Sequence, residues 1–236
     1  MALAVVQQTN VGSGGGNGDG VFFAANASWT FASTPTAGNL IVVVVTMWDN
    51  GSSITGVTDN KGNSYTEAYQ VDNNNARVAV YYAENITTSA THTITVSTTG
   101  AYGCFCAVEV SGAATSSSRD TVSQTTDITD VSGTTTSITS GTLDQADSIV
   151  FANYTHDADT IITNPGSPWN SLYVRASYGS DHHGAAVYQI VSSTTALTST
   201  WTYGTLPSVD AAKGIVAFKM ATAVGGSPRM ISIIYH

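Results

Sequence analysis

Short apolar runs recur along the whole chain, each bounded by a polar cluster rich in Gly, Asn, Asp or Thr. Runs of this length, enriched in β-branched residues and closed by turn formers, predict strands rather than helices. In the first half they fall at Leu3 to Gln8, Ala27 to Phe31, Leu40 to Met47, Tyr65 to Gln70, Arg77 to Ala83, His92 to Ser97 and Cys104 to Ser111. Leu40 to Val45 is apolar throughout, which marks a buried strand and is far too short to cross a bilayer. Asp49-Asn50-Gly51, Asp59-Asn60-Lys61-Gly62-Asn63 and Asp72-Asn73-Asn74-Asn75 supply turns, since Asn, Asp and Gly tolerate positive φ or fold back on the backbone. The Gly-rich run Gly12 to Gly20 reads as a loop or hinge, because no Lys-Ser/Thr and helix follow it as a phosphate cradle requires.

The second half repeats the first in weak outline at an offset of about 110 residues. Ala37-Gly-Asn-Leu-Ile-Val matches Ala146-Asp-Ser-Ile-Val-Phe, and Ala79-Val-Tyr-Tyr matches Ala186-Val-Tyr-Gln. His92 to Ser97 matches Leu197 to Tyr203, Cys106-Ala-Val-Glu-Val matches Val216-Ala-Phe-Lys-Met, and Thr121 to Thr126 repeats the leading strand. The expected fold is all-β: a jelly-roll-like antiparallel β-sandwich with weak internal duplication, its body spanning 1–222 in halves of about 1–112 and 113–222. One body, with each half supplying strands to both sheets, is expected rather than two domains. The join at Ser111 to Arg119 is short, and each half alone would be a small β domain without disulfide support.

Beyond the body, Gly225-Gly226-Ser227-Pro228 precedes an apolar end, Met230-Ile231-Ser232-Ile233-Ile234-Tyr235-His236. Exposed β-prone apolar segments invite edge pairing, so residues 223–236 are expected to dock. They form either one more strand on the protein's own sheet or an arm that augments a neighbouring subunit, with Met230, Ile231, Ile233, Ile234 and Tyr235 as the docking residues.

Composition narrows the partners. Seven Lys and Arg against sixteen Asp and Glu give a net charge of −9, and no basic cluster exists to neutralise a phosphate backbone, so nucleic acid is excluded as a partner. Only 10% of residues are charged, and a surface kept soluble by hydroxyls and amides suits an extracellular or particle-forming protein. Met-Ala-Leu-Ala-Val-Val-Gln-Gln has no basic residues ahead of a long apolar stretch and does not read as a signal peptide; membrane insertion is not expected.

Candidate chemistry is sparse. Glycoside hydrolysis needs two facing carboxylates, whereas Glu67, Glu84 and Glu109 are scattered singly and most Asp sit in turn motifs. No Gly-x-Ser-x-Gly elbow is present. His156 near Asp157 and Asp159, and His182-His183 after Asp181, raise a divalent-metal site, yet adjacent His on a strand point to opposite faces and read better as loop residues. The Asp- and Asn-rich turns lack calcium-loop spacing. Cys104 and Cys106 share one strand face and read as reduced core residues. No catalytic residue, metal or cofactor is therefore expected, and the chain reads as a non-enzyme. Trp48, Trp169, Tyr173, Tyr178, Trp201 and Tyr203 remain as aromatic platforms, with Trp169 in its Pro- and Asn-flanked loop, and Tyr173, as the candidate glycan contacts. The sequons at Asn26, Asn85 and Asn153 are matches that so Thr-rich a chain produces by chance.

Pro35-Thr-Ala-Gly-Asn-Leu-Ile-Val-Val, Val57-Thr-Asp-Asn-Lys-Gly-Asn-Ser-Tyr-Thr, Val80-Tyr-Tyr-Ala-Glu-Asn and Val108-Glu-Val-Ser-Gly together resemble a widespread group of little-characterised β-sandwich proteins of bacteriophages and bacteria, present in virion and cell-surface proteins. The resemblance covers most of the first half and, through the repeat, much of the second, and it brings no catalytic residues. It implies a structural virion protein: a capsid decoration or cement protein, or a head or tail fibre accessory subunit. Its partners would be other virion proteins and further copies of itself, as a homo-oligomer. The alternative is a carbohydrate-binding or adhesin module that meets a surface glycan.

Overall fold

The structure is a computed structural model that describes residues 2–8, 21–23, 26–48, 51–100, 102–176 and 183–222. The first half contributes β1 (Ala4–Gln8), β2 (Val21–Phe23), β3 (Ala27–Thr30), β4 (Leu40–Trp48), β5 (Ile54–Asp59), β6 (Thr66–Asn73), β7 (Ala76–Ala83), β8 (Thr93–Thr98) and β9 (Gly103–Ser111). These form a large antiparallel sheet in the order β1-β9-β4-β7-β6, with β2 also on β9, and a small sheet in the order β3-β8-β5. The second half contributes β10 (Arg119–Asp127), β11 (Val131–Thr139), β12 (Asp147–His156), β13 (Asn170–Ala176), β14 (His183–Ser192), β15 (Thr198–Val209) and β16 (Ala211–Lys219). Its large sheet runs β10-β16-β12-β14-β13 and its small sheet pairs β11 with β15.

The two strand orders superimpose element for element: β1 on β10, β9 on β16, β4 on β12, β7 on β14, β6 on β13, β3 on β11 and β8 on β15. The all-β antiparallel sandwich read from the sequence is thus the fold, and it is built twice. Each half is a complete two-sheet sandwich rather than a donor of strands to two shared sheets. A jelly roll divides its strands evenly between two sheets. Here β6 turns back on β7 through Asn74-Asn75, with Asn74 at φ 46, and so joins the large sheet instead of the small one.

Three buried layers hold four sheets in a stack. Ile41, Val43, Val45 and Met47 of β4 pack on Ile54, Val57, Ile94 and Val96 of the first small sheet. Val150, Ala152 and Tyr154 of β12 pack on Trp201, Tyr203 and Ile138 of the second. Between them, Leu40, Val42 and Val44 meet Ile149, Phe151, Val216 and Phe218, so the two large sheets close face to face. This central layer explains why β4, β7, β9, β12 and β16 are buried at nearly every position: both faces of each strand are covered, and period-two alternation of burial disappears. The join between halves is bonded along its length, with Ala114 N donating to Lys219 O, Ala221 N to Gly112 O, and Ser118 N to the Glu84 carboxylate.

The register corrects one repeat match. Ala79 faces its own sandwich while Ala186 faces the central layer, so the matched tetrapeptides slip by one residue, enough to exchange faces. Strands β2, β5, β11 and β13 were not among the predicted ones; β5 in particular ends inside the Asp59 turn cluster, whose polar residues mask it. The C-terminal segment with Met230, Ile231, Ile233, Ile234 and Tyr235 lies outside the described residues.

Candidate functional site

The scattered acids are held by internal donors. Glu109 is fully buried on β9 and accepts from Gln7 Nε2 at 2.7 Å, Thr36 N at 2.7 Å and Asn39 Nδ2 at 2.6 Å, which ties β1 and the loop before β4 to the large sheet. Asp120, equally buried, accepts from the backbone N of Val122, Ser123 and Asp144. Glu67 accepts from Tyr81 Oη and Glu84 from Ser118 N. Each of the three Glu carboxylates is thus held by donors of its own.

Asp59 is the hub of the Val57-Thr-Asp-Asn-Lys-Gly-Asn-Ser-Tyr segment. It accepts from Lys61 N, Asn63 N, Asn63 Nδ2, Tyr65 Oη and, at 2.9 Å, His92 Nε2. Burial pushes its carboxyl up, but the bonds from Asn63, Lys61 and His92 outweigh burial and hold it below the usual carboxylate range. On the far side of the same imidazole, Nδ1 lies 3.3 Å from Thr88 Oγ1. The order hydroxyl, imidazole, carboxylate is that of a nucleophilic relay. Here the imidazole is fully buried edge-on against Phe31 and the carboxylate is saturated by four other donors, an arrangement that fixes a loop. Sequence reading missed this trio because its members are 4 and 33 residues apart and meet only through the β5–β8 pairing.

At one end of the second sandwich His156 and His183 face each other across β12 and β14, ring centroids 5.9 Å apart, both buried. His156 Nδ1 accepts from Tyr154 Oη at 2.9 Å and its Nε2 donates to Thr160 O at 3.1 Å. Burial, and then the neighbouring His183, push His156 down to about 4. His183 is also lowered by burial, against the opposing pull of Asp159, whose Oδ1 is 3.7 Å away. The real partner of His183 is therefore cross-strand rather than its sequence neighbour His182, which lies outside the described residues with Asp181 and Tyr178. Just above, the β6–β7 turn grips the second half: Asn73 Nδ2 donates to Asp130, Asn74 Nδ2 to Asp210 and Asn75 Nδ2 to Asp157. Among the described residues no group of three or more His, Cys, Asp and Glu is placed to hold a metal ion.

The aromatic candidates separate. Tyr173 is corrected as a glycan contact: it is fully buried in the central layer and donates to Thr46 Oγ1, because the bulge between Ser171 and Tyr173 turns it inward. Trp201 and Tyr203 are buried in the second sandwich, and Trp48 stacks on Tyr102 at 6.1 Å. Trp169, like Trp48, is partly exposed, and its Nε1 donates to Thr198 O at 3.2 Å.

Thr198 opens a feature that sequence reading passed over. On the outward face of the second small sheet Thr139 pairs with Thr198 and Ser137 with Thr200, hydroxyl to hydroxyl at 2.8 Å each, with Thr135 opposite Thr202. The first small sheet has the same pairs at the equivalent places: Thr30 with Thr93 at 2.7 Å and Ser28 with Thr95 at 2.8 Å. The signal was legible as Thr93-Ile-Thr-Val-Ser and Thr198-Ser-Thr-Trp-Thr, alternation with hydroxyls on the polar phase. A shallow cleft of about 320 Å³ at the seam between halves is lined by Gln70, Val71, Asp72, Thr126, Asp127 and Ile128, with Asp127 paired to Lys213 at 3.0 Å and Asp72 to Arg77 at 3.5 Å. No protein-family model matches the chain, and neither curated proteins nor solved structures give a match.

Proposed function

We propose that the protein is a non-enzymatic structural subunit of a bacteriophage particle, of the capsid-decoration or fibre-accessory kind. The observation that carries this reading is where the reactive side chains are spent. Glu109, Asp59, Asp120, Asp157 and Asp210 each accept from side-chain or backbone amides that fasten loops and halves together, whereas a catalytic acid or base must keep a face for its substrate. Four sheets joined through three apolar layers make a stiff block, which suits a part whose work is to persist on a particle surface. The resemblance of the Pro35-to-Val43 and Val57-to-Thr66 segments to virion and surface sandwiches supports the same reading.

The test is light scattering on the full-length protein beside a version ending at Val224. A defined oligomer that falls to monomers on truncation supports a homotypic particle subunit docked by Met230, Ile231, Ile233, Ile234 and Tyr235. Two identical monomers would count against that docking and leave a lone surface module as the reading to pursue.

A further inference from the structure

We propose that the two outer sheets are a matched pair of binding faces for neutral polysaccharide, one on each side of the stack. The faces are built from Ser28, Thr30, Thr93 and Thr95 on one side and Ser137, Thr139, Thr198 and Thr200 on the other. Because the small sheets are the outermost layers, their solvent faces point in opposite directions.

Three observations select the ligand. First, β3, β8, β11 and β15 carry no acid, Lys, Arg or His, and the carboxylate of Asp59 at the end of β5 is buried, so an anion or cation would meet no countercharge there. Second, among the described residues the large exposed apolar ones are Val6, Val122, Ile128, Ile161 and Ile190, none of them on these strands, so the faces lack the apolar centre a protein partner would bury. Third, in each pair one hydroxyl donates to the other, which leaves the acceptor's proton and free lone pairs on both oxygens for a ligand. Donor and acceptor then recur about every 6.7 Å along a strand and about every 4.8 Å across strands, the mixed pattern that a sugar's own hydroxyls complement. Trp169, which packs against the core of the second sandwich and donates to Thr198 O, borders this face with an aromatic edge, a common companion of hydroxyls in a polyol site.

The duplication supplies independent support. The same two cross-strand pairs, Ser with Thr and Thr with Thr, stand at equivalent solvent positions in both halves. Elsewhere the halves have diverged even inside the core, where Val44 of β4 and Asn153 of β12 take the corresponding places.

A two-faced binder bridges chains. The experiment titrates full-length protein with three soluble neutral glucans, hydroxyethyl cellulose, dextran and laminarin, reading stoichiometry by calorimetry and bridging by turbidity. The variants are Thr93→Val/Thr95→Val, Thr198→Val/Thr200→Val and all four together. Valine keeps the β-branched shape that suits a strand, and circular dichroism melts check that each variant folds. With at least one glucan the wild type is expected to bind at two sites per chain and turn the mixture turbid. Each two-residue variant falls to one site and stays clear, and the four-residue variant does not bind. Absence of binding by the wild type to all three glucans, or equal binding by the folded four-residue variant, overturns the proposal. Neither result touches the assembly experiment on the version ending at Val224, so the two readings fail separately.

Discussion

Tyr69 and Tyr173 occupy equivalent places on β6 and β13, each just after a bulge, and each sends its hydroxyl across the central layer into the opposite half. Tyr69 donates to Asn153 Oδ1 at 2.7 Å, and Tyr173 to Thr46 Oγ1 at 3.2 Å. Asn153 completes the crossing by donating to the carbonyls of Val45 and Ala79 on the first large sheet. The halves are thus joined by a reciprocal contact of the kind an isologous dimer makes, here within one chain.

Glycine makes room for that contact. A Cβ on Gly214 would run into the Tyr69 ring, and one on Gly184 into the Thr46 side chain. Gly214→Ala is expected to cost about 1–3 kcal/mol through overpacking. Removing the ring should remove the clash, so Tyr69→Ala combined with Gly214→Ala is expected to be less destabilised than the two single effects summed. Urea unfolding of the four proteins measures the coupling; strict additivity would mean that the ring and the glycine are not in contact.

Glu109 is the tie between β1, the loop before β4 and the sheet. Glu109→Ala leaves the amides of Asn39 and Thr36 without their acceptor in a buried place, at a cost of about 3 kcal/mol. Hydrogen exchange should show the loss first at residues 4–8 and 33–39. Protection unchanged in those segments would remove Glu109 from its place as the tie.

For the Asp59 hub, Asp59→Asn replaces an acceptor oxygen by a donor facing the donors Asn63 Nδ2, Tyr65 Oη and His92 Nε2. The variant is expected to lose about 1–3 kcal/mol. The native carboxyl is held below 3.8, so its contribution is present above that pH and is lost as pH falls through the lowered folded value. An acid titration of wild type and variant should therefore converge below pH 3.8; parallel curves would contradict the sign.

The Leu40-to-Val45 run was legible as a buried strand, and the ordered matches between halves were legible as a duplication. What covers the second face of β4 was not, because an apolar run says that a face is buried and nothing about by what. The same gap misled the reading of Tyr173. Aromatic residues near a Pro- and Asn-rich loop look like a platform, but whether a strand residue points in or out depends on a bulge that has no sequence signature of its own. Cys104 and Cys106, by contrast, needed only period two to be placed together, and both line the central layer without a disulfide.

The His156–His183 pair makes stability fall in mild acid. His156 titrates at about 4 in the folded protein against 6.5 when exposed, so between those values the unfolded chain binds a proton that the folded one refuses. Stability is therefore full above pH 6.5, declines as pH falls to about 4 and levels off below it, with about 3 kcal/mol at stake from the size of the shift. His183, lowered in the same direction, steepens the decline within that window. Because Asp157 follows His156 directly and is gripped by Asn75, the first region to loosen should be the β6–β7 turn against the second half. Urea midpoints at pH 7.5, 5.5 and 4.5 measure the slope, and His156→Gln, which cannot be protonated, should flatten much of it. A wild-type midpoint that does not move between pH 7.5 and 4.5 would show that the pair is not held neutral by the fold.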